Sequence, residues 1–200
     1  MRNPKPKEWL ASDLSQNYIA DYKSFNFVDG EGVRNSLYLS GCPFACEGCF
    51  NVAAQNFRYG KLYTKELEDQ IIADTSHDYV QGITLLGGEP FLNTQVALSL
   101  VNRMKEEFGD GKDIWSWSGY TFEELLLDSD DKLELLNKID VLVDGRFMED
   151  QKNLMLQFRG SSNQRIIDVK KSLAEGKVVL WEKLHDSKKA FEQIKKSELI

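Results

Sequence analysis

Short apolar runs recur along the chain at residues 37–40, 82–86, 114–118, 139–144 and 166–169, with a weaker one at 178–181. Between them lie helix-length stretches in which polar and apolar positions mix, so the pattern reads as strands separated by helices. Ala97, Leu100, Val101, Met104 and Phe108 fall on one helical face, as do Leu67 and Ile71 behind a first turn carrying Glu66 and Glu68. Thr121 and Glu124 have capping-box spacing ahead of the leucines at 125–127. Those leucines and the ones within 133–136 are read as core. Along 114–118, alternation puts Ser116 and Ser118 on one face and Trp115 and Trp117 on the other. The serines are expected to face a cavity and the tryptophans to pack under helices.

Strands alternating with helices imply a parallel sheet with right-handed crossovers and the helices outside. Five or six strands are fewer than the eight of a complete barrel. The predicted fold is therefore α/β: a single-domain, open partial (β/α) barrel with a mostly parallel five- to six-stranded sheet and outer helices. Ligands in such folds gather at the carboxyl ends of strands. Four features sit there: the stretches 42–49, 87–90, 118–120 and 144–146.

Composition narrows the class. With 42% apolar residues, 14 Gly and 4 Pro in 200 residues, the chain is neither disordered nor collagen-like. Its length supports one core without disulfide staples. The longest apolar run is four residues, 178–181, against about 20 for a membrane-spanning helix. Residues 1–15 have no apolar signal region, so a cytoplasmic chain with no membrane partner is expected. A net charge of −7 argues against nucleic acid as a partner. The most basic stretch, Lys188, Lys189, Lys195 and Lys196, is interleaved with Glu192 and Glu198 and reads as a solvated helix face.

The candidate chemistry is in the cysteines. All three lie in one loop, Cys42-Pro-Phe-Ala-Cys46-Glu-Gly-Cys49. An odd number without an export signal disfavours disulfides, and packing alone explains such clustering poorly. Zinc would need a fourth ligand, and the chain has only His77 and His185, neither with a partner at ligand spacing. A four-iron cluster normally takes four thiolates; three would leave one iron open to substrate. Gly48 would allow backbone approach to such a cluster.

This loop after an apolar strand, with Gly87-Gly88-Glu89-Pro90 after the next, resembles the radical S-adenosylmethionine superfamily. Asp29-Gly-Glu-Gly-Val-Arg34 followed by Leu37-Tyr-Leu-Ser-Gly-Cys42 is similar to the activating enzymes of glycyl-radical proteins. Four further strings narrow the resemblance: Cys46-Glu-Gly-Cys49-Phe50-Asn51, Trp115-Ser-Trp-Ser-Gly-Tyr120, Val141-Leu-Val-Asp-Gly-Arg-Phe147 and Phe158-Arg-Gly-Ser-Ser-Asn-Gln164. They resemble the family that activates anaerobic (class III) ribonucleoside-triphosphate reductases. Most superfamily members carry an aromatic residue just before the last cysteine; here Gly48 stands there and Phe50 follows it.

The resemblance implies that Cys42, Cys46 and Cys49 hold a [4Fe–4S] cluster and that S-adenosylmethionine binds its open iron. The cofactor then yields a 5′-deoxyadenosyl radical that abstracts hydrogen from a glycine of the partner reductase. A low-potential donor such as flavodoxin would supply the electron. Candidate cofactor contacts are Gly48, Cys49, Phe50, Gly87, Gly88, Glu89, Ser118 and Asp144. Glu89 would accept from the methionyl ammonium, and Phe50 would take the adenine-stacking role in place of position 48. Asp144 with Arg146 would offer a charged pair to cofactor or partner, and the loop at 159–163 a further site. Asp29-Gly30-Glu31-Gly32, with Arg34 following, reads as a turn that shields the cluster or meets the partner's glycine loop. The core spans residues 25–170, with an N-terminal extension at 1–24 and a C-terminal extension at 171–200 packed on it. Two alternatives stand beside this reading: another small enzyme of the superfamily acting on a small molecule, and a non-catalytic metal-binding adaptor.

Overall fold

The computed structural model describes residues 2–182; His185, the basic stretch at 188–196 and most of the expected C-terminal extension lie outside the described residues. One sheet organises the rest. Its strands are β1 (Tyr18–Asn26), β2 (Val33–Leu39), β3 (Lys61–Leu62), β4 (Val80–Gly87), β5 (Asp113–Trp117), β6 (Val141–Asp144) and β7 (Arg165–Asp168), in the order β3-β1-β2-β4-β5-β6-β7. The middle is parallel, β2 to β4 to β5 to β6. Both margins run antiparallel, β3 on β1 on β2 and β7 on β6. The sheet is thus mixed and seven-stranded, where five or six mostly parallel strands were expected. β1 escapes the apolar-run signal because only Ile19 along it is buried. The run at 178–181 forms no strand; Leu180 makes an isolated bridge to Ile167, and Asp168 N donates to Val179 O.

The helices are α1 (Ala11–Leu14), α2 (Lys65–Thr75), α3 (Thr94–Phe108), α4 (Phe122–Leu126), α5 (Asp130–Lys138) and α6 (Val169–Glu175). Local chemistry sets their ends. Thr64 caps α2 by accepting from Leu67 N, and the capping box of Thr121 with Glu124 starts α4. Gly109, at φ 56°, ends α3. Ala97, Leu100, Val101 and Met104 of α3 are buried as their spacing predicts, whereas Leu126 and Leu127 are exposed. Helix α4 ends within one turn of Leu125, so only that leucine reaches the core.

The pleat sorts side chains into two clusters. Leu37, Leu39, Ile83, Leu85, Ile114, Leu142 and Ile167 meet Ile71, Leu100 and Leu135 of the helices. Burying each such side chain contributes about 1.5–3 kcal/mol. On the opposite face Trp115, Val141, Val143 and Ile166 pack with Trp117, Phe158 and Trp181. The expected assignment is therefore reversed within β5, although Ser118, just past its end, does border a cavity. Ser116 shares the helix-covered face with its register partner Leu142, and the tryptophans fill the other side. That face is closed by Phe158 and Trp181, whose rings meet Trp115 at 5.6 Å and 5.9 Å.

Arg34 also departs from expectation. It is fully buried rather than presented to a cluster or partner. Its guanidinium pairs with Asp113 at 2.6 Å, donates to Thr84 Oγ1 and Ile83 O, and lies 5.3 Å over the Trp115 ring. The turn before it is fixed too: Asp29 accepts from Tyr38 Oη at 2.6 Å, and its carbonyl accepts from Thr84.

Candidate functional site

The cysteine loop leaves the end of β2 through Gly41, whose φ of 100° favours glycine. Beyond it the chain is pinned by backbone bonds: Gly41 N donates to Ala54 O at 2.7 Å and Cys42 N to Gln55 O at 3.0 Å. The same loop is joined to the end of β4, where Gly88 N donates to Leu39 O and Glu89 N to Gly41 O. Gly88 permits this junction, since a Cβ there would sit 2.7 Å from Gly41 O and 2.9 Å from Ala54 O. Within the loop Ala45 takes φ 52°, a left-handed conformation that costs a non-glycine residue about 1–2 kcal/mol.

All three cysteines border one open cavity at the carboxyl ends of the parallel strands, together with Phe50, Gly87, Gly88, Glu89 and Ser118. These are eight of the ten candidate site residues. Gly48 and Asp144 are not among the lining groups. Gly48 instead turns the loop at φ 70° with the Glu149 carboxylate against its α-carbon. Asp144 is buried behind the cavity, accepting from Phe122 N at 2.8 Å and pairing with Arg165. Arg146 does not pair with Asp144; it grips both oxygens of Glu124 at 3.0 Å and lies over the Phe44 ring.

Glu89 is the focus of the polar side. It is fully buried, and its Oε1 accepts from Ser118 Oγ at 2.8 Å and Phe91 N at 3.1 Å, while Oε2 accepts from Gly119 N at 2.7 Å. A carboxylate has about four acceptor positions, so these three donors leave one open. Burial pushes its carboxyl up to about 7, against the pull of those donors and of the Lys132 charge. Pro90, the residue expected to open the next helical segment, stands at its first position with Glu89 as the cap.

The remaining wall includes Phe44, Asn51, Gln55, Phe147, Gly160 and Gln164, with Trp117. Gln164 ties the 145 and 160 turns together, donating to Gly145 O and accepting from Gly160 N. Sequence reasoning gave most of these residues no role. Phe147, Gly160 and Gln164 lie in the quoted strings, but they carry no titratable chemistry that would draw attention; Gln55 has no local signal. Phe50 is largely exposed at the rim, 5.6 Å edge-on from Phe147.

The donor set fits an iron–sulfur cluster. Burial raises the Cys42 thiol well above its usual range, with the Glu89 charge adding to it, and burial raises Cys46 as well. Thiols so placed ionise readily only against a strong local cation, which a metal centre provides. Among the described residues no three His, Cys, Asp or Glu side chains converge on a single ion site. A zinc ion needs its sulfurs about 2.3 Å from one point, whereas a four-iron cluster takes each thiolate on its own iron. His77 is spent elsewhere, stacked on Tyr79 at 5.2 Å.

Comparison with known proteins agrees. Residues 28–167 match the 4Fe-4S single cluster domain. The anaerobic ribonucleoside-triphosphate reductase-activating protein of Vibrio cholerae is 44% identical over 149 residues, covering 72% of this chain and 94% of that protein. The chain belongs to the family of anaerobic ribonucleoside-triphosphate reductase-activating proteins. The activating protein of Escherichia coli K12 is 42% identical over 147 residues, 72% of this chain and 93% of that one. That of Enterobacteria phage T4 is 39% identical over 145 residues, 70% and 87% of the two chains. As a member of the reductase-activating family, the chain uses the [4Fe–4S] cluster and S-adenosylmethionine. No helix among the described residues is long and apolar enough to cross a membrane.

Proposed function

We propose that this chain activates a class III anaerobic ribonucleoside-triphosphate reductase by generating its glycyl radical. In this reading Cys42, Cys46 and Cys49 hold the cluster and S-adenosylmethionine lies beside it against Gly87, Gly88 and Glu89. The observation that carries it is the shared cavity of three thiols and a buried carboxylate with one acceptor position open. Bound there, the cluster and S-adenosylmethionine supply one electron and a 5′-deoxyadenosyl radical that takes a hydrogen atom from a glycine Cα of the reductase.

The protein's own part is to bind, orient and keep dry. Glu89 receives the methionyl ammonium at its free position, and the arriving positive charge keeps the carboxyl ionised. Ser118 and Gly119 hold the carboxylate still for that contact. Phe50 offers its exposed ring to the adenine, and Gly48 supplies the turn that brings Cys49 and Phe50 to the rim. Asp144 serves from behind by fixing the start of α4. Phe44, Phe147 and Trp117 exclude water from the cavity wall. No general base is required.

The finer architecture belongs to the same reading: the sheet curves as an open partial barrel, with α2, α3 and α5 outside and the cavity inside. A low-potential donor such as flavodoxin delivers the electron, and the reaction takes place in the cytoplasm. The test is electron paramagnetic resonance on anaerobically reconstituted protein mixed with reductase, reductant and S-adenosylmethionine. A glycine-centred doublet is expected. Protein that carries about four irons and four sulfides yet yields no doublet and never cleaves S-adenosylmethionine would overturn the proposal.

A further inference from the structure

The stretch before β1 lies outside the match to the cluster domain, which begins at residue 28. It nevertheless reaches the cysteine loop directly. Arg2 N donates to Phe44 O at 2.9 Å, and Phe44 sits midway between Cys42 and Cys46 in the loop. Trp9 is almost fully buried, in a T-shaped pair with Phe44 at 5.1 Å and with the Arg2 guanidinium over its ring at 5.3 Å. Arg146, which covers Phe44, also donates to Arg2 O at 3.3 Å. At the far end Ser15 Oγ donates to Asn93 Oδ1 at 2.6 Å, and Asn93 in turn donates to Tyr18 O.

The lock on this arrangement is Lys132 of α5, a fully buried amine. Its Nζ donates to Trp9 O at 2.6 Å and pairs with Asp128 at 2.8 Å. It also lies 4.7 Å from the Tyr120 ring, whose edge meets Phe44 at 4.9 Å. A buried lysine is costly unless its donors are used. Here one ammonium fastens the incoming chain at Trp9 while it supports the ring that backs Phe44.

We propose that residues 2–15 form a strap that holds the cysteine loop in its metal-binding shape, with Trp9 and Lys132 as positioning residues. The proposal rests on the reading that the loop carries the cluster. The loop needs such a clamp because Ala45, next to Phe44, is held in a left-handed conformation that the free chain would relax. With Phe44 gripped from both sides, Cys42 and Cys46 keep their spacing before metal arrives and after it is lost.

Two measurements on the full chain test this. The first is amide hydrogen exchange on the metal-free protein, wild type against Trp9→Ala, Trp9→Phe and the paired change Lys132→Met with Asp128→Asn, which leaves no orphaned charge. Loss of an aromatic contact and its local ordering should speed exchange at 44–49 on the order of tenfold, while the amides of β4 and β5 keep their rates. Trp9→Phe should restore protection. The second is the rate at which a ferrous chelator draws iron from the reconstituted protein, with the resonance spectrum of the reduced cluster recorded alongside. Faster release and altered g-values are expected for Trp9→Ala and for the paired variant. Unchanged loop exchange, or acceleration spread evenly over the sheet, overturns the strap. A wild-type protein that takes up no cluster would instead defeat the functional reading, and the exchange data would still judge the strap.

Discussion

Ser118, just past the end of β5, donates its hydroxyl to Glu89 at the end of β4, 2.8 Å away and 29 residues earlier in the chain. The bond spans two neighbouring parallel strands at the edge of the cavity. It turns a carboxylate that burial would prefer neutral into a fixed acceptor. The serine was expected at a cofactor contact; its demonstrable partner is the glutamate, with Gly119 N assisting on the second oxygen.

A pH dependence follows for the metal-free protein. With the Glu89 carboxyl raised from 4.5 to about 7, the folded state holds that proton more tightly than the unfolded chain does. The stabilisation is complete below the unfolded value and is lost as pH rises through the folded one, a span of roughly 3 kcal/mol. Urea midpoints of the wild type should fall between about pH 5 and pH 8, and Glu89→Gln should flatten most of that fall. Equal slopes for the two proteins would remove Glu89 as the cause.

Gly88→Ala should damage the site more than the fold. The added methyl would press on the backbone of Gly41 and Ala54, forcing the cysteine loop off the β4 turn at a cost of about 1–3 kcal/mol. Iron content after reconstitution and S-adenosylmethionine affinity should both drop severalfold, while circular dichroism stays native. Wild-type affinity in this variant would contradict the backbone contact.

Arg34→Met should act in the opposite sense, on stability. It strips Asp113, Thr84 and Ile83 O of a buried partner, a loss of about 3–5 kcal/mol and a melting point lower by roughly 6–20 °C. The folded fraction should still take up a full complement of iron. Unchanged stability with lost reductase activation would return Arg34 to the partner-facing role expected from the sequence.

Cys46→Ala removes a half-buried thiol at the cavity edge. The expected outcome is protein without brown colour or iron, still folded, with its melting point within a few degrees of wild type for a loss of about 1 kcal/mol. Global unfolding would instead point to a structural metal.

Much of this was legible in the residues and some was not, for physical reasons. The five runs that became β2, β4, β5, β6 and β7 bury nearly every position, so they stand out as apolar. β1 buries one residue of nine and β3 none of two, and a strand of that kind exists only because its neighbour offers hydrogen bonds. Cys42, Cys46, Cys49 and Glu89 announce themselves by residue type and spacing. Gln55 and Gln164 reach the cavity only because the fold carries them there. The faces of β5 were misassigned because alternation reveals that two faces differ without revealing which one the helices cover. Arg34 misled for a related reason: a charge beside a glycine turn looks solvated until its acceptors, 49 and 50 residues onward, are seen.

The meeting of Gly41 with Gly88 leaves no side chain between the thiol-bearing loop and the turn that ends in the buried glutamate. The spacing between that loop and that turn is therefore set by main-chain atoms, where substitution elsewhere has little purchase. Side chains of the walls, the rim and the outer helices of such an activase can vary without touching this junction, whereas any side chain at position 88 would wedge the two segments apart.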